Sequence, residues 1–403
     1  MKPIKIALFG NMNNNQFVLG RYLRDRGYDV DLLINPMTTP ALFLPDKDSY
    51  DTTYTAWVKE IRWGSERSTI KALLLPSWRR FMKKQFKEYD LVMGNGHAPA
   101  LFGLLGLNFI YFQYGGDLRN YSSWKLITRK GWRDTIVRSV IGIMFRSGLR
   151  KMRASITGGY WHETYLRLGV SEDRLYPVTF PMVYAANAHL PEWYKGTAHL
   201  QEFRKTRQAN EFLFVSHSRH AWDPAVYKDG VNSKGTDVML RGFAEFVKRN
   251  PSKAKLVLFA YGADVGRSRD LIEELGIVDS IVWIPTLARK EVMAIVGQCD
   301  AGVGQMKHIG VGGGVIYEFM SLSVPVIQHL DIKLSGGPQF TEMYPYKHVN
   351  DEHELALAFE DVLSNTAKYK AMGKAGAEWY ERNIVQRTMD SIEKIIQQSV
   401  GKA

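Results

Sequence analysis

Short apolar runs alternate along this chain with longer segments in which apolar residues recur at helical spacing. The first run predicts a buried strand at residues 4–9, followed by a helix at 17–23 and a second strand at 28–34. Further buried strands are predicted at residues 89–93, 109–112 and 154–159. Strands that alternate with helices in this way are typical of a parallel sheet with helices packed on its faces. The first part of the chain is therefore predicted to be a Rossmann-like domain.

The alternation restarts after a polar segment at residues 185–210, which is predicted to be a connection that is poor in helices and strands. Strands are predicted at residues 212–216, 255–261, 281–284 and 301–304, with helices between them. A long amphipathic helix is predicted at residues 375–400. A length of 403 residues also favours two domains. We expect an α/β protein with Rossmann-like domains at residues 1–190 and 205–375 facing a cleft, and a last helix at 376–403 that packs back on the first domain.

The distribution of charge along the chain adds more to this prediction than the overall amino-acid composition does. The net charge is +12, and residues 71–153 contain 16 Lys or Arg against four acidic residues, so this window carries the whole excess. Such a patch attracts a polyanion, either nucleic acid, an anionic bilayer or an acidic substrate. Within it, residues 78–87 place aromatic residues on one helical face and basic residues on the other. This helix is either a surface helix with an ordinary core stripe or a contact for anionic lipid headgroups.

Cysteine content and hydropathy restrict the location. A single cysteine, Cys299, excludes an internal disulfide and suits a reducing cytoplasm. No signal peptide is visible, and no apolar run reaches the roughly 18 residues that a membrane span needs. We expect a cytoplasmic protein, either soluble or peripheral on the inner face of a membrane.

Several common catalytic motifs are missing from the sequence. It contains no G-x-S-x-G motif and no Walker A motif, and its first strand turn lacks G-x-G-x-x-G. His217 and His220 have no third ligand at matching spacing, so no metal site is expected. His97 and Asp117 follow two predicted strands, where open α/β sheets place ligands, although a solvated histidine or a turn-forming aspartate would fit equally well.

A set of phosphate-binding residues is expected in the second domain. The glycines at 310–314 open a helix that carries Glu318, and a glycine-rich helix start brings N–H groups close to an anion. Arg219 follows the domain's first strand, and Lys234 precedes its first helix. Both cations suit a diphosphate whose charge grows as it leaves a sugar, which makes a metal unnecessary.

These motifs resemble the family 4 glycosyltransferases of the GT-B fold. The likeness is carried by residues 214–216, 233–243, 255–262, 281–285 and 313–327, and more faintly by 114–117 and 156–177. It implies retaining transfer of a sugar from a UDP- or GDP-linked donor, with neither a metal nor a further cofactor. By position, the resemblance implies that Glu318 binds the ribose hydroxyls, that Lys234 and Arg219 bind the diphosphate, and that His97 lies near the sugar.

The resemblance yields two sets of candidate residues. The catalytic candidates are His97, Asp117, Arg219 and Lys234. The donor-binding candidates are Gly10, Asn11, Leu287, Gly312, Gly313, Gly314, Val315 and Glu318, although turn formation and helix capping alone would also explain Asn11.

The sequence departs from the family pattern at two places. The family often has a sugar-binding Glu eight residues before the ribose-binding one, and here that position is Gly310. The 17 residues between Ser216 and Lys234 make a longer connection than usual, so either His217 or Arg219 takes the phosphate; we prefer Arg219 for its permanent charge.

The expected partners are a nucleotide-sugar donor, a glycan or lipid-linked acceptor in cell-surface polysaccharide or glycolipid synthesis, and an anionic membrane contacted through residues 71–153. The alternatives are a glycosyltransferase of this fold that acts on nucleic acid, which is less favoured, and a non-catalytic nucleotide-sugar-binding protein. A sugar-nucleotide epimerase is less favoured too, because it would leave the basic patch without a role.

Overall fold

The computed structural model describes residues 3–114, 116–122, 132–157, 161–185, 197–227, 233–307, 313–331 and 342–401. The chain divides into two compact units. Unit 1 comprises Met1–Tyr184 and Val385–Ala403, and unit 2 comprises Ala185–Ile384.

Unit 1 contains a seven-stranded parallel sheet with the strand order β3-β2-β1-β4-β5-β6-β7. Its strands are β1 (Lys5–Phe9), β2 (Asp29–Ile34), β3 (Val58–Glu60), β4 (Leu91–Gly94), β5 (Phe109–Phe112), β6 (Ala154–Thr157) and β7 (Leu175–Pro177). Its first eight helices are α1 (Asn15–Asp25), α2 (Pro45–Asp48), α3 (Glu66–Leu74), α4 (Pro76–Gln85), α5 (Ala98–Leu105), α6 (Asp117–Ser122), α7 (Trp132–Leu149) and α8 (His162–Arg167). The central strands are buried almost throughout because helices cover both faces of the sheet.

Unit 2 contains a six-stranded parallel sheet with the strand order β10-β9-β8-β11-β12-β13. Its strands are β8 (Leu213–Ser216), β9 (Lys255–Phe259), β10 (Ile281–Ile284), β11 (Ala301–Val303), β12 (Val326–Gln328) and β13 (Lys347–His348). Its helices are α9 (Ala198–Ala209), α10 (Thr236–Arg249), α11 (Val265–Glu274), α12 (Arg289–Val296), α13 (Gly314–Ser321), α14 (Glu352–Ser364) and α15 (Thr366–Tyr380). An aromatic cluster joins the sheet to its helices, with the rings of Phe214 and Phe359 4.5 Å apart.

The predicted pair of Rossmann-like parallel sheets is confirmed, and two local predictions are wrong. The segment at 185–210 contains helix α9, whose N-terminus is capped by the Thr197 side chain. The single helix predicted at 375–400 is α15 followed by a π-helical segment, Glu381–Gln386, and by α16 (Arg387–Val400).

Helix α16 packs within unit 1. The Arg26 guanidinium donates to Gln386 and Asp390, each at 2.7 Å, and also to Glu393. Among the described residues, no helix combines the length and apolarity needed to cross a membrane.

Candidate functional site

In unit 2, the candidate residues follow the carboxyl ends of strands that belong to one parallel sheet. Arg219 follows β8, Lys234 directly precedes the cap of α10, and Leu287 lies half-buried between β10 and α12. Gly313, Gly314, Val315 and Glu318 lie in and before α13, the helix between β11 and β12. This edge of a parallel α/β sheet is where ligands bind, because the loops after the strands gather there.

The Glu318 carboxylate is held by two donors from other elements. Its Oε2 lies 2.7 Å from Nε2 of His217, directly after β8, and its Oε1 lies 2.7 Å from Nε of Arg289, the first residue of α12. The Glu318 side chain is only 12% exposed. Burial by itself raises the pKa of this carboxyl, but Arg289 and His217 outweigh burial and hold the pKa at about 2. Glu318 is therefore ionised, and each oxygen keeps one further lone pair for a ligand.

His217 uses one of its two ring nitrogens to hold Glu318. Because the carboxylate is ionised, Nε2 of His217 donates to it. The other ring nitrogen, Nδ1, is buried and has no hydrogen-bond partner among the described residues. Of the two residues that the sequence left open as phosphate ligands, the structure thus leaves Arg219 as the exposed cation.

Lys234 and Arg219 form a pair of like charges. Burial, together with a smaller effect of the Arg219 charge, lowers the pKa of the Lys234 ammonium to about 8. The Lys234 Nζ donates to Oε1 of Gln305 at 3.1 Å. Within the described part of the chain, neither cation is in an ion pair with a carboxylate. Two adjacent cations of this kind favour an anion between them.

The backbone fixes Lys234 at this position. Its N–H donates to the carbonyl of Ala221 at 2.7 Å, and its own carbonyl accepts from the N–H of Met306 at 3.0 Å. Gly235, which caps α10, has φ +65°, and a Cβ there would lie 2.9 Å from that of Met306. A glycine is therefore needed after Lys234 for the two loops to pack this closely.

Among the described residues, the start of α13 leaves space around its capping glycine. Gly313 caps the helix with φ 141° and ψ 152°, a backbone conformation that is essentially restricted to glycine. A Cβ at Gly313 would have no described atom within 4 Å. The first N–H groups of α13 have no intrahelical acceptor and suit an anion. The candidate Gly312 and the departure at Gly310 lie outside the described residues.

His220 is buried and packs against neighbouring residues of unit 2. Its Nδ1 lies 2.8 Å from the Ser268 hydroxyl, and its ring lies 5.4 Å from that of Trp283. Burial lowers the pKa of His220 to about 4, so the ring is neutral. The described residues contain no group of three or more His, Cys, Asp or Glu side chains arranged to hold a metal ion.

In unit 1, the candidates Gly10, Asn11 and His97 line a cavity of about 580 Å³ after β1 and β4. Gly10 has φ +81°, and a Cβ there would lie 2.4 Å from Oδ1 of Asn95, so only glycine fits. The Asn11 side chain is used by the turn itself. Its amide donates to Asn14 and to the carbonyl of Phe43, and its oxygen accepts from the N–H of Phe17. The structure thus gives Asn11 the structural role that the sequence left open.

His97 has an unused ring nitrogen at this cavity. Its Nε2 is buried and has no hydrogen-bond partner among the described residues. Burial lowers the pKa of His97, and the charge of Glu66 opposes this shift. Glu66 also lines the cavity and accepts a hydrogen bond from the Tyr121 hydroxyl at 2.9 Å. Nε2 of His97 is therefore available to a ligand hydroxyl.

Asp117 lies behind the cavity. It is 4% exposed, and its Oδ2 accepts the N–H of Gly96 at 2.9 Å, which fixes the loop that carries His97. Burial raises the pKa of Asp117 to about 6, although backbone groups of Gly96 and Tyr114 oppose the shift. Asp117 therefore contacts the loop that carries His97 and is placed to orient the His97 ring.

Sequence reasoning missed Arg289, Glu66 and Tyr121. Arg289 had a usable signal, because it is the first residue of a helix that follows a strand and thus lies at the ligand edge of the sheet. Glu66 and Tyr121 had none, since they belong to helices α3 and α6, which are brought together only by packing.

Comparison with known proteins adds a family match and a set of structural relatives. Residues 225–379 match the family model of glycosyl transferases group 1. The crystal structure of HepE from Anabaena in complex with UDP is similar over 98% of this chain and all of HepE, with 13% identity and a TM-score of 0.59.

Two further solved structures are similar to this chain. Sucrose-phosphate synthase from Thermosynechococcus elongatus is 15% identical over 99% of this chain and 100% of its own, with a TM-score of 0.55. A UDP-N-acetylglucosamine 2-epimerase is 13% identical over 93% of this chain and 91% of its own, with a TM-score of 0.52. No curated protein sequence matches the chain. The chain therefore has the two-domain GT-B fold, and its unit 2 contains the whole segment that matches the glycosyl transferases group 1 family.

Proposed function

We propose that this protein is a retaining, metal-independent glycosyltransferase that uses a UDP- or GDP-linked sugar. The observation that carries the proposal is the pair Lys234 and Arg219, two adjacent cations without a described carboxylate partner. The open start of α13 follows a neighbouring strand of the same sheet. The family match over residues 225–379 and the UDP in the HepE crystal structure support the same reading.

Each residue has a separate task in this proposal. Lys234, Arg219 and the N–H groups that follow Gly313 stabilise the charge that accumulates on the diphosphate as the glycosidic bond breaks. Glu318 accepts hydrogen bonds from the ribose hydroxyls through the lone pairs that His217 and Arg289 leave free.

The acceptor is proposed to be a glycan or a lipid-linked sugar in cell-surface polysaccharide or glycolipid synthesis at the cytoplasmic face of a membrane. His97 is proposed to contact its hydroxyl-bearing part in the cavity of unit 1, since Nε2 and the polar wall beside it suit a hydroxylated ring. In the retaining reaction, the leaving phosphate accepts the proton of the attacking hydroxyl on the face from which it departs.

The test begins with a thermal-shift screen against UDP, GDP, ADP and their sugars. We expect one nucleoside diphosphate to stabilise the protein, and Lys234→Gln to weaken that nucleotide about 10- to 100-fold, because a hydrogen bond to a charged group contributes about 1.5–3 kcal/mol. Lys253→Gln, at an exposed lysine of unit 2, is the matched control and should bind normally.

The reaction itself is then followed by product analysis with the donor sugar that binds. Transfer to an acceptor supports the proposal, whereas a donor converted to its epimer or bound without turnover on any acceptor would refute transfer. Wild-type binding in Lys234→Gln would refute the assigned diphosphate site.

A further inference from the structure

The corner between helices α3 and α4 exposes three successive leucines. Leu73, Leu74 and Leu75 are 45%, 69% and 45% exposed. Helix α3 buries Thr69 and Ala72, and Pro76 starts α4 at once, so the leucines at the corner face away from the core. Single exposed leucines are ordinary on a protein surface, but three in a row at one corner form an apolar tip.

Basic residues are concentrated in the same segment as this tip. Between residues 71 and 87 the chain has six Lys or Arg and no acidic residue. All six are exposed, and within the described part of the chain none is in an ion pair: Lys71, Arg79, Arg80, Lys83, Lys84 and Lys87. We call these six residues, together with Leu73–Leu75, the α3–α4 surface.

The opposite side of α4 is fixed in the core. Met82 and Phe86 are buried, and the Trp78 indole donates to the carbonyl of Ser68 at 3.2 Å. Most of the aromatic stripe that the sequence singled out is therefore a core stripe, with Phe81 partly exposed against Trp78. The corner is thus held by a packed helix and needs no rearrangement to present its leucines and cations.

A second apolar stripe lies on the neighbouring helix. Helix α7 packs against α3, and Trp132, Ile136 and Ile143 fall on one face of α7 with more than half of each side chain exposed. Unit 1 thus exposes apolar side chains on two adjacent helices inside the most basic part of the sequence.

We propose that the α3–α4 surface docks unit 1 on an anionic lipid bilayer. The leucine tip would enter the boundary between headgroups and acyl chains, and the six cations would contact the lipid phosphates. The combination favours this partner, since an anionic bilayer offers phosphates to the cations and an apolar layer to the leucines, whereas non-specific binding to nucleic acid rests mainly on the cations. This proposal deepens the proposed function, because it names the surface of unit 1 that would face a lipid-linked acceptor. Only the purpose of docking rests on the proposed function; binding to vesicles can be tested without it.

The experiment measures co-sedimentation of the full chain with vesicles of phosphatidylcholine alone or with 30% phosphatidylglycerol. The wild-type chain should bind only the anionic vesicles, and more weakly at high salt. Arg80→Gln/Lys83→Gln/Lys84→Gln should reduce the partition coefficient about a hundredfold. Leu74→Ser/Leu75→Ser should reduce it about tenfold, since two partly exposed leucines lose their insertion.

Matched controls lie in unit 2. Lys253→Gln/Lys370→Gln/Lys374→Gln removes the same charge from exposed lysines, and Leu357→Ser removes one exposed leucine. Both should bind vesicles like the wild-type chain. All four variants should keep the wild-type melting temperature and the wild-type thermal shift with nucleotide, which separates loss of docking from loss of folding or of the donor site.

Three results would overturn the proposal. The first is a wild-type chain that does not bind anionic vesicles. The second is an unchanged partition coefficient for Leu74→Ser/Leu75→Ser while the triple charge variant loses vesicles and duplex DNA equally, which would indicate a nucleic-acid contact. The third is equal loss in the unit 2 control, which would indicate attraction by net charge alone.

Discussion

Replacing Glu318 by Gln tests the two-donor arrangement at the centre of unit 2. The change keeps the shape of the side chain but removes its charge, so the amide group opposes one of the two donors. Arg289 then retains a largely buried charge, since its side chain is only 18% exposed. The expected result is a marked loss of stability as well as a loss of nucleotide binding.

The magnitude follows from burial. Breaking a buried ion pair by removing one partner costs about 3–5 kcal/mol, because the remaining charge stays desolvated while it loses the attraction of that partner. For a unit of about 200 residues, each kcal/mol shifts the melting temperature by about 2–4 °C. Glu318→Gln should therefore melt roughly 6–12 °C below the wild-type chain at neutral pH.

The pH dependence has a definite sign. The pKa of Glu318 is about 2 in the folded protein against an ordinary value of 4.5, so the folded state favours the ionised form. Its contribution to stability is complete above pH 4.5 and is lost as the pH falls through the folded pKa. The difference in melting temperature between wild type and Glu318→Gln should be constant from pH 7 to pH 6 and shrink below pH 5.

Calorimetry of the full chain measures both effects. The matched control is Glu342→Gln. It breaks a 3.0 Å ion pair between Glu342 and Arg382, whose side chains are 65% and 63% exposed. An exposed pair contributes about 0–1 kcal/mol, so this control should melt close to the wild-type chain. Equal melting temperatures for the two variants would refute the buried arrangement, and a pH-independent difference would refute the assignment to the Glu318 carboxylate.

Three further predictions concern other candidate residues. Because the pKa of Lys234 is about 8, affinity for nucleoside diphosphate should fall as the pH rises through 8, and calorimetric titration of Lys234→Arg should show a flat profile up to pH 9. Gly313→Ala should lose about 1–3 kcal/mol of stability in urea unfolding, whereas Gly266→Ala, in helix α11 with open space around its Cβ position, should be neutral or stabilising. The pKa of Asp117 is raised to about 6, so its stabilising contribution is complete below pH 3.8 and lost as the pH rises through 6; Asp117→Asn should gain stability relative to wild type between pH 4 and pH 7, and a relative loss would contradict the burial argument.

The sequence by itself determined the class of the fold and the edge of the unit 2 sheet at which the candidate residues lie. Hydrophobic periodicity is a local property, so the buried strands near residues 4–9, 212–216 and 255–261 were readable without tertiary information. Gly313 was predicted as a helix start for the same reason, since a glycine run before an apolar helix acts through the backbone alone.

Only the tertiary structure decided what the polar side chains do. Glu318 was predicted to bind ribose hydroxyls, and the structure adds that its carboxylate is held by His217, 101 residues away in sequence, and by Arg289. The Asn11 side chain holds its own turn and donates to the carbonyl of Phe43, and Asp117 accepts from the loop that carries His97. A side chain's hydrogen-bond partner depends on the register and packing of separate elements, and sequence spacing does not contain that information.

The same division applies to the basic region. Its charge was visible in the sequence, whereas the exposed side of its helices was not. Met82 and Phe86 face the core while Leu73–Leu75 face solvent, although all five are apolar. Which apolar residues are buried depends on where α5 and α7 pack against α3 and α4, and that arrangement is fixed by the sheet of unit 1 rather than by the segment's own pattern.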